Sequence, residues 1–324
     1  MTGRSDGRGE AGHLGGSLHA AVVYDSEDSL RMRVAPFLEA GIDRKETILA
    51  VVPAGVQQTL RSVLGGHADR VQWREPGLAH RGLGEVFEEF RSFLADQHAA
   101  TAPARLLTEN DLDGEDDPGR LAAYLRFEAA STEVFRPYGH PWVCLYDRRR
   151  HPAQLLDHVG EVHPQLLTDR VRPVPSTVYH EPADYLSSHA GPLSPVPDLV
   201  RLDCDFAVAA ELRSARRQLG DYAASVGQDA DAVERIIAAA HEVISNAVRH
   251  GQPPCRLRAW QADGVFCVRI DDHGPGDSVA TAGYRRPATA VGRGMGLWVA
   301  RQFADVIHVR ASAATGTAVE LQFR

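Results

Sequence analysis

Apolar and polar positions divide the first half of the chain into short apolar runs and longer amphipathic segments, which alternate. The apolar runs, whose length is typical of buried strands, are 19–24, 46–53, 104–110 and 142–147. The amphipathic segments, which show helical periodicity, are 26–40, 56–64, 84–100 and 118–135. Strands that alternate with helices predict an α/β domain built on a doubly wound, mostly parallel sheet.

The second half of the chain follows a different order, in which several strands come in pairs. Strands are predicted at 199–207, 254–262, 265–271, 306–312 and 318–323, and helices at 209–226, 229–250 and 295–304. Asp263-Gly264, between two of these strands, is a strong hairpin signal. Helices laid against one face of a mostly antiparallel sheet predict an α+β two-layer sandwich.

A stretch rich in proline, serine and glycine separates the two halves and predicts an interdomain linker. The N-terminus is polar and glycine-rich, which predicts a disordered tail. The predicted division is a tail at 1–16, a first domain at 17–186, a linker at 187–198 and a second domain at 199–324.

Charge and hydropathy narrow the range of partners. The chain of 324 residues has a formal net charge of -8, so no basic field favours nucleic acid as a partner. No apolar run is long enough to span a bilayer, and the N-terminus lacks the apolar region of a signal peptide. These features predict a cytoplasmic protein that binds neither nucleic acid nor a membrane.

Three segments of the second half are candidates for chemistry. In the first, HEVISNAVRHG, Glu242 and Asn246 lie four residues apart and project from one face of a predicted helix. His250 continues this stripe one turn further. A carboxylate and an amide on one helix face can serve a bound ligand, and a solvated polar face is the alternative for this segment alone.

In the second segment, IDDHGPGD, Asp272 follows an apolar strand and precedes Gly274 and Gly276. An aspartate at a strand end can accept a hydrogen bond from an exocyclic amine, and the glycines let the backbone approach a flat ring. An ordinary Asp-Gly turn is the alternative.

In the third segment, GRGMGLWVARQFAD, spaced glycines open an apolar helix, whose first N–H groups can bind phosphates. The candidate residues are Gly292, Arg293, Gly294, Met295 and Gly296. A flexible loop is the alternative. The segment is not a dinucleotide fingerprint because no strand precedes it, and a Walker A motif is absent.

In this order and at this spacing, the three segments resemble the motifs of GHKL (Bergerat) ATPases. The stretch LRSARRQLGDYAASVG before them and Thr315-Gly316-Thr317 before the last strand are similar to RsbW-type anti-sigma-factor serine kinases. The resemblance covers 199–324 and implies a domain that binds ATP with Mg²⁺. Since RsbW-type proteins dimerise, it also implies a homodimer.

The resemblance further implies a role for each matching residue. Asn246 would coordinate Mg²⁺, and Glu242 would be the catalytic base. Asp272, supported by Thr317, would bind the adenine amino group. The other nucleotide-binding residues would be His250, Gly274, Gly276, Gly292, Arg293, Gly294, Met295 and Gly296, with 277–291 as a short ATP lid.

The first domain resembles MEDS-type sensory domains in HAAVVYDSEDSLRMRVAPFLEAGIDRKETILAVV, in WVCLYDRR and in the closing ADYL. This resemblance implies a domain that senses a small molecule or regulates an attached output domain. Its later histidines, His140, His151, His158, His163 and His180, have no clear metal-ligand spacing. We therefore predict that they lie on the surface or serve packing.

Together the two resemblances predict an ATP-binding regulator of stress transcription of the anti-sigma type. It would bind a sigma factor or an anti-sigma antagonist, and would phosphorylate a serine or threonine of the antagonist. One alternative is a non-catalytic module whose partner binding depends on nucleotide. The other is a sensor histidine kinase, which is disfavoured because the predicted helix 209–226 contains no phosphoacceptor histidine.

Overall fold

The computed structural model describes residues 18–168, 173–274, 281–287, 294–312 and 315–324. Within these ranges the chain forms one mostly parallel sheet and one antiparallel sheet, each associated with helices. The predicted tail at 1–16 lies outside the described residues.

The first sheet has seven strands in the described part of the chain. They are β1 (His19–Tyr24), β2 (Thr47–Val51), β3 (Val71–Arg74), β4 (Ala104–Thr108), β5 (Trp142–Asp147), β6 (Gln165–Leu166) and β7 (Val174–Pro175). Their order across the sheet is β3-β2-β4-β5-β1-β6-β7. Every neighbouring pair is parallel except β6 and β7, so the prediction of a mostly parallel sheet is confirmed.

Six α-helices accompany this sheet in the described residues. They are α1 (Glu27–Asp43), α2 (Ala54–Leu64), α3 (Leu83–Ala99), α4 (Pro118–Phe135), α5 (Ala153–Val162) and α6 (Pro182–Ser188). Local sequence explains where two of them begin. The Ser26 hydroxyl accepts a hydrogen bond from the Ser29 N–H, and the Asp117 carboxylate accepts one from the Gly119 N–H.

The first sheet is buried on both faces, as the apolar runs of its strands require. On one face Ala20 and Val22 of β1 pack in a core with residues of α1 and α2. On the other face Ala21 packs in a second core with residues of α3, α4 and α5. Because successive strand residues point to opposite faces, one continuous apolar strand serves both cores.

The second sheet is antiparallel and has five strands in the described residues. They are β8 (Leu202–Phe206), β9 (Cys255–Ala262), β10 (Val265–Asp272), β11 (Val306–Ser312) and β12 (Gly316–Phe323), in the order β11-β12-β10-β9-β8. The helices that follow β8 in the chain are α7 (Leu212–Ser225), α8 (Ala230–His250) and α9 (Met295–Phe303). Apolar residues of all three helices share one core with this sheet.

The opposite face of the second sheet carries buried polar groups, which the segment between the two sheets satisfies. Ser194 donates from its N–H and its hydroxyl to Glu320, and Arg269 donates to both Glu320 and the Ser194 carbonyl. Ser194 belongs to the predicted linker, so this part of it is bound along the sheet.

None of the helices in the described part of the chain combines the length and the apolar character needed to cross a membrane.

Candidate functional site

The candidate site is built on α8. The Asp229 carboxylate caps this helix by accepting a hydrogen bond of 2.8 Å from the Ala232 N–H. One side of α8 is buried in the core of the second sheet. Glu242 and Asn246 lie one turn apart and remain partly exposed, so both side chains are accessible to a ligand.

The start of α9 lies directly against these two side chains. A Cβ atom on Gly296 would lie 2.8 Å from Glu242 Oε2 and 3.1 Å from Asn246 Nδ2. Gly294, which caps α9, has a φ of 93°, a left-handed conformation that glycine adopts without strain. The N–H groups in the first turn of α9 therefore lie beside a carboxylate and an amide. This combination is suited to binding a phosphate group together with a metal ion.

Asp272 ends β10 and pairs in register with Thr317 of β12. Its carboxylate accepts a hydrogen bond of 2.7 Å from the Gly274 N–H, and the Thr317 hydroxyl donates to the Gly274 carbonyl at 3.3 Å. Asp272 is only 8% exposed, and burial raises the pKa of its carboxyl above the usual value. A second acceptor oxygen on such a fixed carboxylate suits recognition of a polar N–H on a ligand.

The loop after Asp272 packs against the end of α8. The His273 N–H donates to the Gln252 carbonyl at 3.0 Å, and a Cβ atom on Gly251 would lie 2.6 Å from Asp272 Cγ. Thus α8 contacts the third motif at Gly296 and the second motif near its C-terminal end. The three motifs that are separated in sequence converge on this helix.

Not every predicted site residue belongs to this arrangement. Gly276, Gly292 and Arg293 lie outside the described residues. Met295 is the first residue of α9 and is partly buried. His250 is the last residue of α8 and is exposed.

The described part of the predicted lid, 281–287, contacts the first half of the chain through Tyr284. The Tyr284 ring lies edge-on to Phe127 of α4, with 5.0 Å between centroids, and its hydroxyl accepts from Arg126 Nε at 3.1 Å. The Arg301 guanidinium carbon is 3.9 Å from the centre of the Tyr284 ring and 5.8 Å from that of the Phe127 ring, so the three side chains form one group. Nothing in the sequence indicated the contact of Tyr284 with α4, because Arg126 lies 158 positions before it.

The structure also groups one histidine with ligand-type side chains that the sequence did not connect. His163 lies with His19, Glu128 and Cys144 in a buried cluster of the first half of the chain. The prediction that His163 serves packing fits its burial, but it did not include the three neighbouring side chains.

Two family models match the chain. Residues 18–164 match MEDS, the MEthanogen/methylotroph, DcmR Sensory domain, and residues 207–323 match the histidine kinase-like ATPase domain. These matches confirm the two resemblances seen in the motifs: a MEDS domain precedes an ATPase domain of this type. No curated protein sequence matched the chain.

Solved structures that are similar to the chain include the RsbU and RsbW domains of a protein from Mycobacterium tuberculosis. The identity is 20% over 44% of this chain and 39% of that one, with a TM-score of 0.29. Mouse CSAD in its apo form aligns at 11% identity over 91% of this chain and 65% of its own, with a TM-score of 0.27. The chain spans well under two thirds of the first structure.

Proposed function

We propose that this chain, in which a MEDS domain precedes a histidine kinase-like ATPase domain, is an ATP-dependent serine/threonine kinase of the anti-sigma type. Its substrate is an anti-sigma antagonist protein, and its first domain controls the second. The observation that carries this proposal is the contact of Gly296 with both Glu242 and Asn246. A catalytic base and a metal ligand beside a phosphate-binding helix start are the parts that phosphoryl transfer needs.

The described residues fit ATP and Mg²⁺. The Asn246 side-chain oxygen would be the protein ligand to Mg²⁺, and the N–H groups at Gly294, Met295 and Gly296 would bind the phosphates. Bound Mg-ATP supplies the transferable phosphoryl group and neutralises its charge. Gly276, Gly292 and Arg293 complete the proposed phosphate and adenine contacts from the sequence pattern alone.

Glu242 is placed in this proposal as the general base, which accepts the proton of the attacking hydroxyl. Its carboxylate is partly exposed, so a substrate hydroxyl can reach it. Asp272 accepts a hydrogen bond from the adenine amino group, and Thr317 holds the Gly274 backbone in place for that contact. His250, at the exposed end of α8, is the weakest member of the proposed set.

Control by the first domain has a physical route through Tyr284. Tyr284 of the lid contacts both Phe127 of α4 and Arg301 of α9, so a change in α4 alters the support of the lid. A small molecule sensed by the first domain would act through this contact. The proposed domains are 17–186, a doubly wound α/β unit, and 199–324, a two-layer sandwich, joined by 187–198.

The proposed setting is cytoplasmic, with a homodimer as the working assembly and a stress sigma factor as a further partner. A nucleotide-gated binding module without transfer is the second candidate, and the same Tyr284 contact favours it. If lid position alone sets the shape of a partner surface, ATP binding is sufficient for switching.

A transfer assay tests the proposal. The full chain is incubated with γ-labelled ATP, Mg²⁺ and candidate antagonists that carry a serine phosphosite. We expect acid-stable label on the antagonist, lost in Glu242→Gln and kept in Glu234→Gln, an exposed glutamate on the same helix. ATP binding without any label would replace the kinase with the binding module, and acid-labile label on the chain itself would indicate a histidine kinase.

Asn246→Ala tests the metal role separately. We expect Mg-ATP affinity to fall by at least tenfold, measured by calorimetry, because the proposed protein ligand to Mg²⁺ is removed. An unchanged affinity would remove Asn246 from the site.

A further inference from the structure

Four side chains with metal-binding atoms meet inside the first half of the chain. They come from four separate places in the fold: His19 from β1, Glu128 from α4, Cys144 from β5 and His163 from the residue after α5. His19 is 4% exposed, and the other three are 0–1% exposed. Each offers one ligand atom, and these four atoms all lie within 4.8 Å of one another.

Four of the six distances between these atoms match those between neighbouring corners of a tetrahedron around a metal ion, and the other two are no longer than 4.8 Å. Glu128 Oε2 lies 3.7 Å from His19 Nε2, from His163 Nε2 and from Cys144 Sγ. Cys144 Sγ is also 3.7 Å from His19 Nε2. Zinc bonds of about 2.0–2.3 Å in a tetrahedron give ligand-to-ligand distances of about 3.3–3.7 Å.

Hydrogen bonds account for only part of the cluster: the Cys144 sulfur, a weak donor and acceptor, lies 3.7 Å from His19 Nε2 and from Glu128 Oε2. A nitrogen-to-oxygen distance of 3.7 Å is beyond hydrogen-bond range. His163 Nε2 is fully buried and has no hydrogen-bond partner among the described residues. A buried imidazole nitrogen without a partner is costly, and a metal ion at the centre would satisfy it.

Groups around the cluster hold both imidazoles with Nε2 turned inward. His19 Nδ1 is 2.7 Å from the Thr132 hydroxyl, and the His19 ring stacks on Trp142 at 3.9 Å. His163 Nδ1 is 2.8 Å from the Val159 carbonyl, to which it can donate. A histidine that binds a metal through one nitrogen commonly donates a hydrogen bond from the other, as this arrangement allows.

We propose that His19, Glu128, Cys144 and His163 bind one divalent transition-metal ion, with Zn²⁺ as the ion that fits best. Two neutral imidazoles, one thiolate and one carboxylate give a divalent ion a net charge of zero, which reduces the cost of burying it. Mixed nitrogen, sulfur and oxygen ligands in a tetrahedron are typical of zinc. Since four protein ligands close the site and water does not reach it, the ion is structural and not catalytic.

The test uses the full chain. The metal content of protein purified without a histidine tag is measured by mass spectrometry, and the protein is then stripped with a chelator and reloaded with Co²⁺. We expect about one zinc per chain as purified. After reloading, we expect the intense visible absorption of tetrahedral Co²⁺ together with a thiolate-to-cobalt charge-transfer band in the near ultraviolet.

Variants assign the band to the cluster. Cys144→Ser should abolish the charge-transfer band, whereas Cys267→Ser, which changes a buried free cysteine of β10, should keep it. Co²⁺ held at Asn246 would give no thiolate band, so the outcome does not depend on the proposed kinase site. Zinc should also raise the Tm of stripped protein by about 5 °C or more.

Absence of bound metal and of the charge-transfer band in the unaltered chain would overturn the proposal. So would a band that survives Cys144→Ser. If Cys144→Ser does not fold, the spectrum and the zinc-dependent Tm of the unaltered chain decide the question, since neither requires a variant.

Discussion

Gly84 of α3 lies directly against the backbone of Arg301 in α9. A Cβ atom on Gly84 would lie 2.6 Å from the Arg301 carbonyl carbon and closer still to its oxygen, too near for any side chain. The obstacle is backbone, which cannot turn aside as a flexible side chain does. A helix of the MEDS domain and the helix that begins the proposed phosphate site therefore touch at a position that only glycine permits.

Gly84→Ala should separate these two helices and weaken the support of Tyr284. We expect bound nucleotide to dissociate at least threefold faster, because the lid loses its contact with Phe127 and Arg126. Stopped-flow displacement of a fluorescent ATP analogue measures the rate. Gly55→Ala in α2, where an added Cβ meets nothing within 4 Å, is the matched control. Equal dissociation rates in the two variants would exclude a role for this helix contact in lid support.

Gly296→Ala should weaken ATP binding with little loss of stability. The nearest atoms to the added methyl group are at the ends of the Glu242 and Asn246 side chains, which can move away, but their displacement disturbs the proposed metal ligand and base. We expect an affinity loss of about tenfold by calorimetry and a Tm within about 2 °C of the unaltered chain. Unaltered affinity would mean that α9 does not begin at the phosphates.

Asp272→Asn should reduce the preference for adenine. The amide keeps the shape of the carboxylate but loses its charge, and a hydrogen bond to a charged group contributes about 1.5–3 kcal/mol. We expect ATP affinity to fall at least tenfold while GTP affinity changes less, as measured by competition binding.

Asp271→Asn is the control for that change. Asp271 precedes Asp272 in β10 and forms a partly exposed ion pair with Arg258 at 2.6 Å. If Asp271→Asn lowers ATP affinity as much as Asp272→Asn does, the loss of affinity results from a disturbance of β10 and not from the loss of a contact with adenine.

Glu109 should make the stability of the protein depend on pH. The residue is 1% exposed, and its side chain accepts a hydrogen bond from the Tyr24 hydroxyl. Burial raises the pKa of its carboxyl from 4.5 to about 7. Between these values the folded chain keeps a proton that the unfolded chain releases. The stabilisation is therefore complete below pH 4.5 and is lost as the pH rises to about 7.

The Glu109→Gln substitution removes this titration. The free energy of unfolding of the variant should therefore rise relative to that of the unaltered chain as the pH increases from 4.5 to 7. The difference should grow by up to about 3 kcal/mol. Urea unfolding at several pH values measures it, with Glu39→Gln at an exposed position of α1 as control. Parallel pH profiles for the unaltered chain and Glu109→Gln would contradict the shift.

Local signals in the sequence were sufficient for most of the secondary structure. Ser26 and Asp229 each stand one residue before a helix that they cap, and Asp263-Gly264 forms the predicted turn between β9 and β10. Two helices were missed for a local reason. Neither helix has an N-cap side chain that bonds to the helix start: α5 follows Pro152, and α6 begins at Pro182, a start signal that was not used.

The nucleotide motifs were visible because each is contiguous in sequence. Glu242 and Asn246 share a helix face, and Asp272 stands at a strand end, but it was the resemblance of their order and spacing to GHKL ATPases that grouped them. The lid contact of Tyr284 and the cluster around His163 were not visible, because tertiary folding joins residues that no local period relates. Such sites form where particular helices and strands pack together. The local sequence around each residue does not show which elements will be neighbours in the fold.

The position of β1 has a consequence for how the first domain forms. This strand is the first in the described part of the chain, yet it lies between β5 and β6, well inside the seven-stranded sheet. During synthesis, β1 cannot pair with β5 until more than a hundred further residues have been made. Shortening the chain into β1 would divide the sheet, and the MEDS domain cannot complete its core until nearly all of it has left the ribosome.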